Sequence, residues 1–301
     1  MHAAYFSRRC ARHITDCFAA DALLCPMNDT SIAVLGCGWL GLPLARALAG
    51  VGHAVAGSTT TADKRPALAA AGIRPHLLRL GPETTAADLA PLLAGAAVLV
   101  SSVPPSRAAA NRSAYAAALQ PVAAALADSS VRHVVFVSST GVYPDEPRPM
   151  TEADAVASAE AENHLLRAEA VFRQPGQGWQ TTVLRLGGLM GPGRAPGRFL
   201  AGRTDLPQPA APVNLLHLDD AVGVIRAVIE QGVWGRTLNV CAAGHPPRQQ
   251  FYQAAAAQLG LPAPQFRPDE TGGKLIRTAQ LRGAVAYGFR YDDPLAALLY
   301  C

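Results

Sequence analysis

The chain has 301 residues, of which 50% are hydrophobic and 16% are charged, and its formal net charge at pH 7 is +4. This length and composition are typical of an enzyme-sized globular protein with one large core. The basic residues are scattered rather than gathered into a stripe with interleaved aromatic side chains, so we expect no nucleic-acid partner. No apolar run reaches the length that spans a membrane, so we expect no membrane partner either.

The first 26 residues differ from the rest of the chain. They contain three arginines, three of the six cysteines and no turn or strand signal. Asp16 and Asp21 interrupt the apolar centre that a secretory signal needs, and they also argue against a transit peptide, which is poor in acidic residues. We expect residues 1–29 to form an extension outside the fold, either a disordered tail or a stretch upstream of a natural start at Met27.

The cysteines indicate the compartment. Their spacing matches no zinc-binding template, so no metal site is predicted. Cys37 and Cys241 fall in predicted core or loop positions, where we expect reduced thiols. The sequence therefore favours a cytoplasmic protein.

A glycine-rich turn between a strand and a helix is the most informative feature of the sequence. Residues 32–35 form a short apolar run, and Gly36, Gly38 and Gly41 follow it in the G-x-G-x-x-G spacing. Glycine is needed at the tight turn, at the closest approach of the backbone to a pyrophosphate, and where the helix packs against the strand. The helix predicted over residues 39–49 directs unpaired amides and its positive dipole end toward the phosphates. The unit therefore predicts a bound dinucleotide.

The end of the second predicted strand, residues 53–56, indicates which dinucleotide binds. An acidic residue normally closes this strand and accepts hydrogen bonds from the adenosine ribose of NAD. Here Gly57, Ser58 and three threonines follow, with Lys64 and Arg65 beyond them. Small hydroxyls and cations suit the 2′-phosphate of NADP, which a carboxylate would repel. NADP(H) is therefore favoured over NAD(H), although a solvated helix start is the alternative role for the two cations.

Beyond this unit, strand and helix signals alternate along the chain. The predicted strands cover residues 76–80, 97–101, 133–138, 181–186 and 236–240. The predicted helices cover residues 62–71, 107–128, 155–173 and 219–230. This alternation predicts a Rossmann-type α/β fold, in which helices cover both faces of a doubly wound parallel sheet.

The loops beyond the carboxyl ends of the strands are where such a sheet binds its ligand. We therefore expect the cofactor ligands in the glycine-rich turn and in the loops that follow the second, fourth and fifth strands. The predicted set is Gly36, Gly38, Trp39, Leu40, Gly41, Ser58, Thr59, Thr60, Lys64, Ser102, Val103, Pro104 and Ser138.

Four further motifs carry a family resemblance. In chain order they read VVFVSSTGVYPDE from Val134, VLRLGGLMGPGR from Val183, VNLLHLDDAVGVI from Val213 and LNVCAAG from Leu238. Behind the glycine-rich turn, they resemble the extended short-chain dehydrogenase/reductase superfamily in its NAD-dependent epimerase/dehydratase group. The segments GCGWLGLPLA, GPGRAPGRF and AYGFRYDDP look most like the atypical YeeZ-like bacterial branch of that group.

The resemblance covers about residues 30–295 and implies a domain organisation. Residues 30–186 would form an NAD(P)-binding Rossmann domain, and residues 187–301 a mixed, small C-terminal substrate lobe from which residues 213–243 return to the Rossmann domain. The resemblance also implies a small-molecule substrate and a homodimer formed through two long helices.

One part of the family pattern is missing. Typical members use a serine or threonine, a tyrosine that exchanges the proton, and a lysine four residues later that lowers the pKa of the tyrosine. Ser139 matches the serine position. The helix that should carry the other two reads ASAEAENHLLR from Ala157, and the two lysines of the chain, Lys64 and Lys274, have no tyrosine four positions earlier.

Ser139 and Tyr143 are the catalytic candidates that remain. Ser139 would orient a substrate oxygen, and a hydrogen bond to the loop backbone is its alternative role. Tyr143 would act as an acid, but the sequence shows no cation to lower its pKa, and an aromatic residue there also suits packing of the loop. His164 on the next helix is more typical of packing or of the surface.

The predicted substrate-binding residues come from a glycine- and proline-rich loop and from the family resemblance. Arg194 and Arg198 would hold an anionic, phosphorylated or nucleotide-linked substrate, and a solvated loop is an equally good interpretation. By resemblance, Asn214 and His217 face the substrate. Asp219 stands at a predicted helix start and is expected to cap it.

These observations predict an NADP(H)-dependent oxidoreductase or epimerase/dehydratase that acts on a small or nucleotide-linked carbonyl or hydroxyl compound. A non-catalytic NADP(H)-binding regulator or redox sensor is the alternative, because it would explain the missing tyrosine and lysine. A β-hydroxyacid dehydrogenase shares the glycine-rich turn but needs a catalytic lysine on a later helical domain, and the SSTGVY and GPGR motifs argue against it.

Overall fold

A computed structural model describes residues 30–81, 83–105, 113–268 and 272–301 of the chain. The predicted N-terminal extension lies outside these residues, and so does the first part of the helix predicted over residues 107–128. The strands of the described part, in chain order, are Ser31–Leu35 (β1), Ala54–Thr59 (β2), Ile73–Leu77 (β3), Val98–Ser101 (β4), His133–Ser139 (β5), Pro149–Met150 (β6), Gln180–Leu186 (β7), Gly188–Met190 (β8), Leu215–His217 (β9), Thr237–Val240 (β10) and Leu275–Ile276 (β11).

The helices of the same residues cover the sheet and build the C-terminal part. They are Gly41–Gly50 (α1), Arg65–Ala70 (α2), Ala86–Leu93 (α3), Tyr115–Ala127 (α4), His164–Val171 (α5), Gly197–Leu200 (α6), Leu218–Glu230 (α7), Arg248–Gln258 (α8), Ala279–Ala284 (α9) and Pro294–Ala297 (α10). No helix in these ranges combines the length and apolarity that a membrane crossing requires.

A parallel sheet of seven strands lies at the centre, in the order β10-β7-β5-β4-β1-β2-β3. The chain first builds outward from β1 through β2 to β3 and then returns to β4 on the other side of β1. This reversal of strand order creates the crevice at which doubly wound sheets bind ligands. The predicted Rossmann-type fold is confirmed.

Alternating side chains of the strands form two apolar layers, one on each face of the sheet. Along β1, Ile32 and Val34 belong to the layer that contains the buried faces of α1 and α7. Ala33 and Leu35 belong to the opposite layer, with α3, α4 and α5. Because both faces are covered, the strands read as continuous apolar runs rather than as an alternating pattern.

A smaller C-terminal part packs beyond the carboxyl edge of the sheet. There β8 pairs with β9, and β11 pairs with β6, in two short parallel ladders. A third apolar cluster joins β8 and β9 to α8 and α10 through Met190, Leu215, Phe251 and Ala297. Because β8 directly follows the carboxyl end of β7, β8 and β9 lie next to the edge at which ligands are expected.

The observed elements differ from the prediction both in their boundaries and in their number. The third strand begins at Ile73 rather than at residue 76, and the helix predicted over residues 155–173 begins at His164 because Asn163 caps it. The sequence reasoning missed α3, although Thr85 and Asp88 form a capping box at its start. It also missed α8, which no side chain of the described residues caps.

Candidate cofactor and active site

Two serines from neighbouring strand ends fix the glycine-rich turn. Gly36 has a φ of +96°, which favours glycine. Its amide donates to Ser58 Oγ at 2.8 Å, and its carbonyl accepts from Ser102 Oγ at 2.8 Å. Ser58 and Ser102, both predicted as cofactor ligands, therefore act on the turn itself and hold its backbone in place.

The other two glycines of the motif have different surroundings. A Cβ at Gly41 would overlap the carbonyl oxygen of Gly36, so this glycine allows α1 to approach β1. A Cβ at Gly38 would meet nothing within 4 Å. Gly38 therefore lines open space at the start of α1, where the cofactor diphosphate is expected.

Helix α1 begins without a side-chain cap among the described residues, and Leu40 occupies the N-cap position. Uncapped amides of a first turn carry the positive end of the helix dipole and suit an anion. The turn with its open space at Gly38 thus fits the diphosphate of a dinucleotide. In that arrangement Trp39 and Leu40 present their backbone to the phosphates.

The end of β2 separates buried from exposed hydroxyls. Thr59 is buried, and its Oγ1 accepts from the amide of Thr61 at 3.2 Å in a local turn. Thr60 and Lys64 are exposed. The acidic Asp63 lies beside Lys64 in the same short 3₁₀ turn, a neighbour that the charge argument from sequence overlooked.

Val103 and Pro104 follow β4 on the other side of the crevice. A Cβ at Gly36 would come within 3.0 Å of Val103 Cγ2, so this valine packs directly on the glycine-rich turn. The buried Tyr115 fixes the valine by donating its hydroxyl to the Val103 carbonyl at 2.7 Å. The predicted loop positions therefore lie next to the phosphate-binding turn.

Ser139 is the last residue of β5 and is half-buried. Its Oγ accepts from the amide of Gly141 at 3.1 Å and so keeps its own proton available for donation. Asn163 holds the same loop: its Nδ2 donates to the Gly141 carbonyl at 3.0 Å, while its Oδ1 caps α5 by accepting from Leu165 N at 2.9 Å. The geometry shows the hydrogen bond to the loop backbone, and the catalytic role of Ser139 stays a prediction.

A buried polar cluster lies beneath the end of β5. Arg185 is 1% exposed and Glu169 is 0% exposed, and their side chains form an ion pair at 2.8 Å. Ser138 Oγ donates to Glu169 Oε1 at 2.7 Å. Arg185 also donates to the hydroxyl of Tyr143 at 2.8 Å, and that hydroxyl donates to Asn239 Oδ1 at 2.7 Å. We call these five residues the buried polar cluster.

The cluster engages two predicted site residues. The hydroxyl of Ser138 is committed to Glu169, so we no longer assign it to the cofactor. Tyr143 is 3% exposed, and burial raises the pKa of its phenol, while the hydrogen bond and charge of Arg185 offset only part of this rise. We therefore no longer assign it as the acid. Its cationic neighbour, Arg185, is a charged residue in the apolar strand β7, a signal that the sequence reasoning missed.

The loop of residues 191–199 lies against the phosphate-binding turn. Trp39 Nε1 donates to the carbonyl of Pro192 at 2.9 Å. The guanidinium of Arg194 lies 5.6 Å from the Trp39 ring and 5.8 Å from the Phe199 ring, and its Nε donates to the Leu189 carbonyl at 2.8 Å. Arg194 is thus positioned by stacking beside the cofactor turn. Arg198 is exposed in the short helix α6 that ends this segment.

Asn214 and His217 make structural contacts. Asn214 Nδ2 donates to the Lys274 carbonyl at 2.8 Å, and its Oδ1 accepts from Ile276 N at 2.9 Å. His217 is 2% exposed, and its Nδ1 accepts from Asp219 N, which makes His217 the cap of α7. The expectation that Asp219 caps this helix is therefore wrong, because Asp219 lies in the first turn.

These features define a Rossmann-type protein with a dinucleotide-binding turn, and comparison with known proteins shows its family. The chain matches the NAD(P)H-binding family over residues 36–211. It therefore belongs to that family of NAD(P)-binding proteins.

Within the family, the chain is a homologue of protein YeeZ from Escherichia coli strain K12. The two are 36% identical over 271 residues, which cover 88% of this chain and 97% of the relative. The chain is also 32% identical to the 3-diazoavenalumate denitrifying reductase of a Streptomyces species, over 45% of this chain and 44% of that relative.

Solved structures have the same fold. A candidate NAD-dependent epimerase/dehydratase from Methylobacillus flagellatus is 29% identical, with a TM-score of 0.70 over 90% of this chain and 97% of that chain. The structure of the human epimerase family protein SDR39U1 with NADPH is 17% identical, with a TM-score of 0.68 over 89% and 98% of the two chains.

Proposed function

We propose that the protein is an NADP(H)-dependent oxidoreductase or epimerase/dehydratase that acts on a carbonyl or hydroxyl group of a small or nucleotide-linked substrate. The observation that carries this proposal is the uncapped start of α1 beside the open space at Gly38. Hydrogen bonds to the side chains of Ser58 and Ser102 fix this turn, so its amides need little rearrangement to bind a diphosphate.

The preference for NADP(H) rests on the end of β2. Thr60 and Lys64 are exposed there, next to Arg65 at the start of α2. A hydroxyl and two cations suit a 2′-phosphate. Asp63 opposes this preference, but it is one carboxylate beside two cations. A relative named as a reductase supports the oxidoreductase part of the proposal.

Ser139 and the loop of residues 191–199 would serve the substrate. The nicotinamide supplies or accepts a hydride when it is bound. Ser139 donates a hydrogen bond from its hydroxyl to a substrate oxygen and so orients it, while the Gly141 amide fixes its Oγ. Arg194 and Arg198 offer guanidinium groups to an anionic part of the substrate, and Arg194 does so from beside the cofactor turn.

Replacing Gly38 with alanine tests cofactor binding. The added methyl has room in the free protein but occupies the space of the diphosphate, so the fold should persist while binding is lost. We expect the NADPH affinity of Gly38→Ala to fall at least about 100-fold, which corresponds to about 2.7 kcal/mol. Titration of NADPH fluorescence measures the affinity, and thermal unfolding measures the stability.

Gly50→Ala is the matched control, because a Cβ at Gly50, the last residue of α1, also meets nothing within 4 Å. It should bind NADPH as the parent protein does. Equal NADPH affinities for the Gly38 and Gly50 variants would contradict the proposed site.

A non-catalytic NADP(H)-binding regulator is the second candidate, because α5 contains neither tyrosine nor lysine. Cys37 and Cys241 do not suit a thiol-based form of this candidate, since burial raises the pKa of both thiols to about 12 and keeps them protonated. NADPH oxidation with a panel of carbonyl compounds and nucleotide sugars separates the two functions: binding without any turnover would favour the regulator.

A further inference from the structure

The lysine that lowers the pKa of the catalytic tyrosine in typical family members has no counterpart in α5. Another element of this chain brings a lysine to the loop that follows Ser139. Lys64 lies at the adenosine end of the crevice, beyond β2. Lys274, the other lysine of the chain, stands just before β11 in the C-terminal part. Its Nζ donates to the carbonyl of Tyr143 at 2.7 Å, across 131 residues of sequence.

The contacts of Lys274 place it beyond the carboxyl ends of two central strands. Tyr143 follows Ser139 by four residues, past the end of β5. Asn214 binds the Lys274 carbonyl, and the Asn214 carbonyl accepts from the amide of Gly188, just past β7, at 2.8 Å. Lys274 therefore lies at the edge of the sheet where ligands bind, on the side of Ser139.

The backbone around Lys274 is fixed on both sides. Asn214 holds the carbonyl of Lys274 and the amide of Ile276, and the amide of Lys274 donates to Asp145 Oδ1 at 3.3 Å. The ladder between β11 and β6 adds a further constraint. The main chain around Lys274 is therefore held rigidly, which suits a side chain that must transfer a proton in a fixed geometry.

The ammonium of Lys274 is only partly satisfied. Of its three donors, the Tyr143 carbonyl takes one. In the described ranges no carboxylate lies within 4.0 Å of its Nζ. Burial lowers the pKa of this amine, and the charge of Asp145 offsets part of the shift. A lysine in this state can release its proton, which an arginine cannot do.

We propose that Lys274 is the cation on the substrate side of the crevice. Its Nζ donates a hydrogen bond to a substrate hydroxyl or carbonyl oxygen and holds the proton that this oxygen gains or loses. The inference rests on the proposed function. When a carbonyl carbon gains a hydride, for which a bound reduced nicotinamide would be the reductant, the N–H bond of the ammonium breaks and its proton forms the O–H bond of the product. The neutral amine then regains a proton from the solvent. In the reverse direction the amine accepts the hydroxyl proton.

Amine modification tests the inference without a known substrate. Pyridoxal 5′-phosphate with borohydride labels accessible, unprotonated amines, and an arginine-directed digest separates the two lysines for mass spectrometry. At pH 7.5 we expect Lys274 to be labelled at least about five-fold faster than the exposed Lys64, because burial lowers the pKa of the Lys274 amine. Saturating NADP⁺ should slow the labelling of Lys274 at least about five-fold, because the cofactor narrows the same cleft.

A lysine that only supports the Tyr143 carbonyl would behave differently. It would be labelled no faster than Lys64, and that result overturns the inference. Labelling of Lys274 that stays unchanged by NADP⁺, in a protein shown by fluorescence to bind NADPH, overturns it as well. If NADPH does not bind, the proposed function fails, and the labelling ratio of the two lysines alone decides whether Lys274 is a reactive amine.

Discussion

The phosphate-binding turn and the buried polar cluster are both built from hydrogen-bonded side chains, but they use them in opposite ways. In the turn, the hydroxyls of Ser58 and Ser102 bind the backbone of Gly36 and leave the amides of Trp39 and Leu40, which have no partner among the described residues, open to a ligand. In the cluster, the side chains satisfy one another and leave little for a ligand. A motif that resembles a catalytic one therefore shows where a side chain stands, not whether it is available.

The largest effect should come from breaking the ion pair of the cluster. Arg185→Met leaves the Glu169 carboxylate buried without its partner, which typically costs about 3–5 kcal/mol. We expect the free energy of unfolding, measured by urea denaturation, to fall by this amount. The hydrogen bonds of the phosphate-binding turn are untouched, so NADPH affinity should persist wherever the variant is still folded.

Arg226→Met is the matched control. Arg226 pairs with Glu230 on the surface of α7 at 3.2 Å, and its side chain is 42% exposed. An exposed pair of this spacing contributes about 0.3–0.5 kcal/mol. If both variants were equally mild, the cluster would not stabilise the fold.

Tyr143 tests the difference between the phosphate-binding turn and the buried polar cluster, because its place in the sequence suits a catalytic role while its hydroxyl belongs to the cluster. Tyr143→Phe removes a hydroxyl that bridges Arg185 and Asn239, so we expect a loss of about 1–3 kcal/mol in unfolding free energy. Turnover per folded molecule should stay near that of the parent. Ser139→Ala should show the reverse pattern, with lost turnover and nearly unchanged stability. A Tyr143→Phe variant that is stable but inactive would restore the tyrosine as the acid.

Sequence reasoning succeeded where the determinants are local. Gly36, Gly38 and Gly41 lie within six residues, and the apolar strands around them fix the direction of the chain. The end of β5 at Ser139 was likewise predicted to within one residue. Local spacing is enough there, because the phosphate site is made of backbone rather than of distant side chains.

The contacts that were not predicted join residues that lie far apart in the sequence. Tyr143 and Asn239 are 96 residues apart, and Lys274 reaches Tyr143 across 131 residues. No periodicity links such positions. The charge of Arg185 inside β7 indicates that a buried partner exists, but a single sequence does not say that the partner is Glu169.

The smallest effect is expected at the adenosine end of the crevice, where the proposed contact to the cofactor comes from an exposed side chain. Lys64→Gln removes one cation near the 2′-phosphate, and we expect NADPH to bind about five-fold more weakly, or about 1 kcal/mol. NADH affinity should not change, since NADH lacks that phosphate. Because Lys64 is solvated, the difference should shrink as ionic strength rises. Fluorescence titration of both nucleotides at two salt concentrations measures these changes.

Arg132→Gln provides the control, because Arg132 is an exposed cation just before β5, at the opposite edge of the sheet. It should leave both affinities unchanged. Equal weakening of NADPH and NADH by Lys64→Gln would place Lys64 away from the 2′-phosphate, and the preference for NADP(H) would then need another source, with Thr60 and Arg65 as the remaining groups. In either case the turn at Gly38 would still bind the diphosphate, because its backbone amides carry that contact independently of the cations beyond β2.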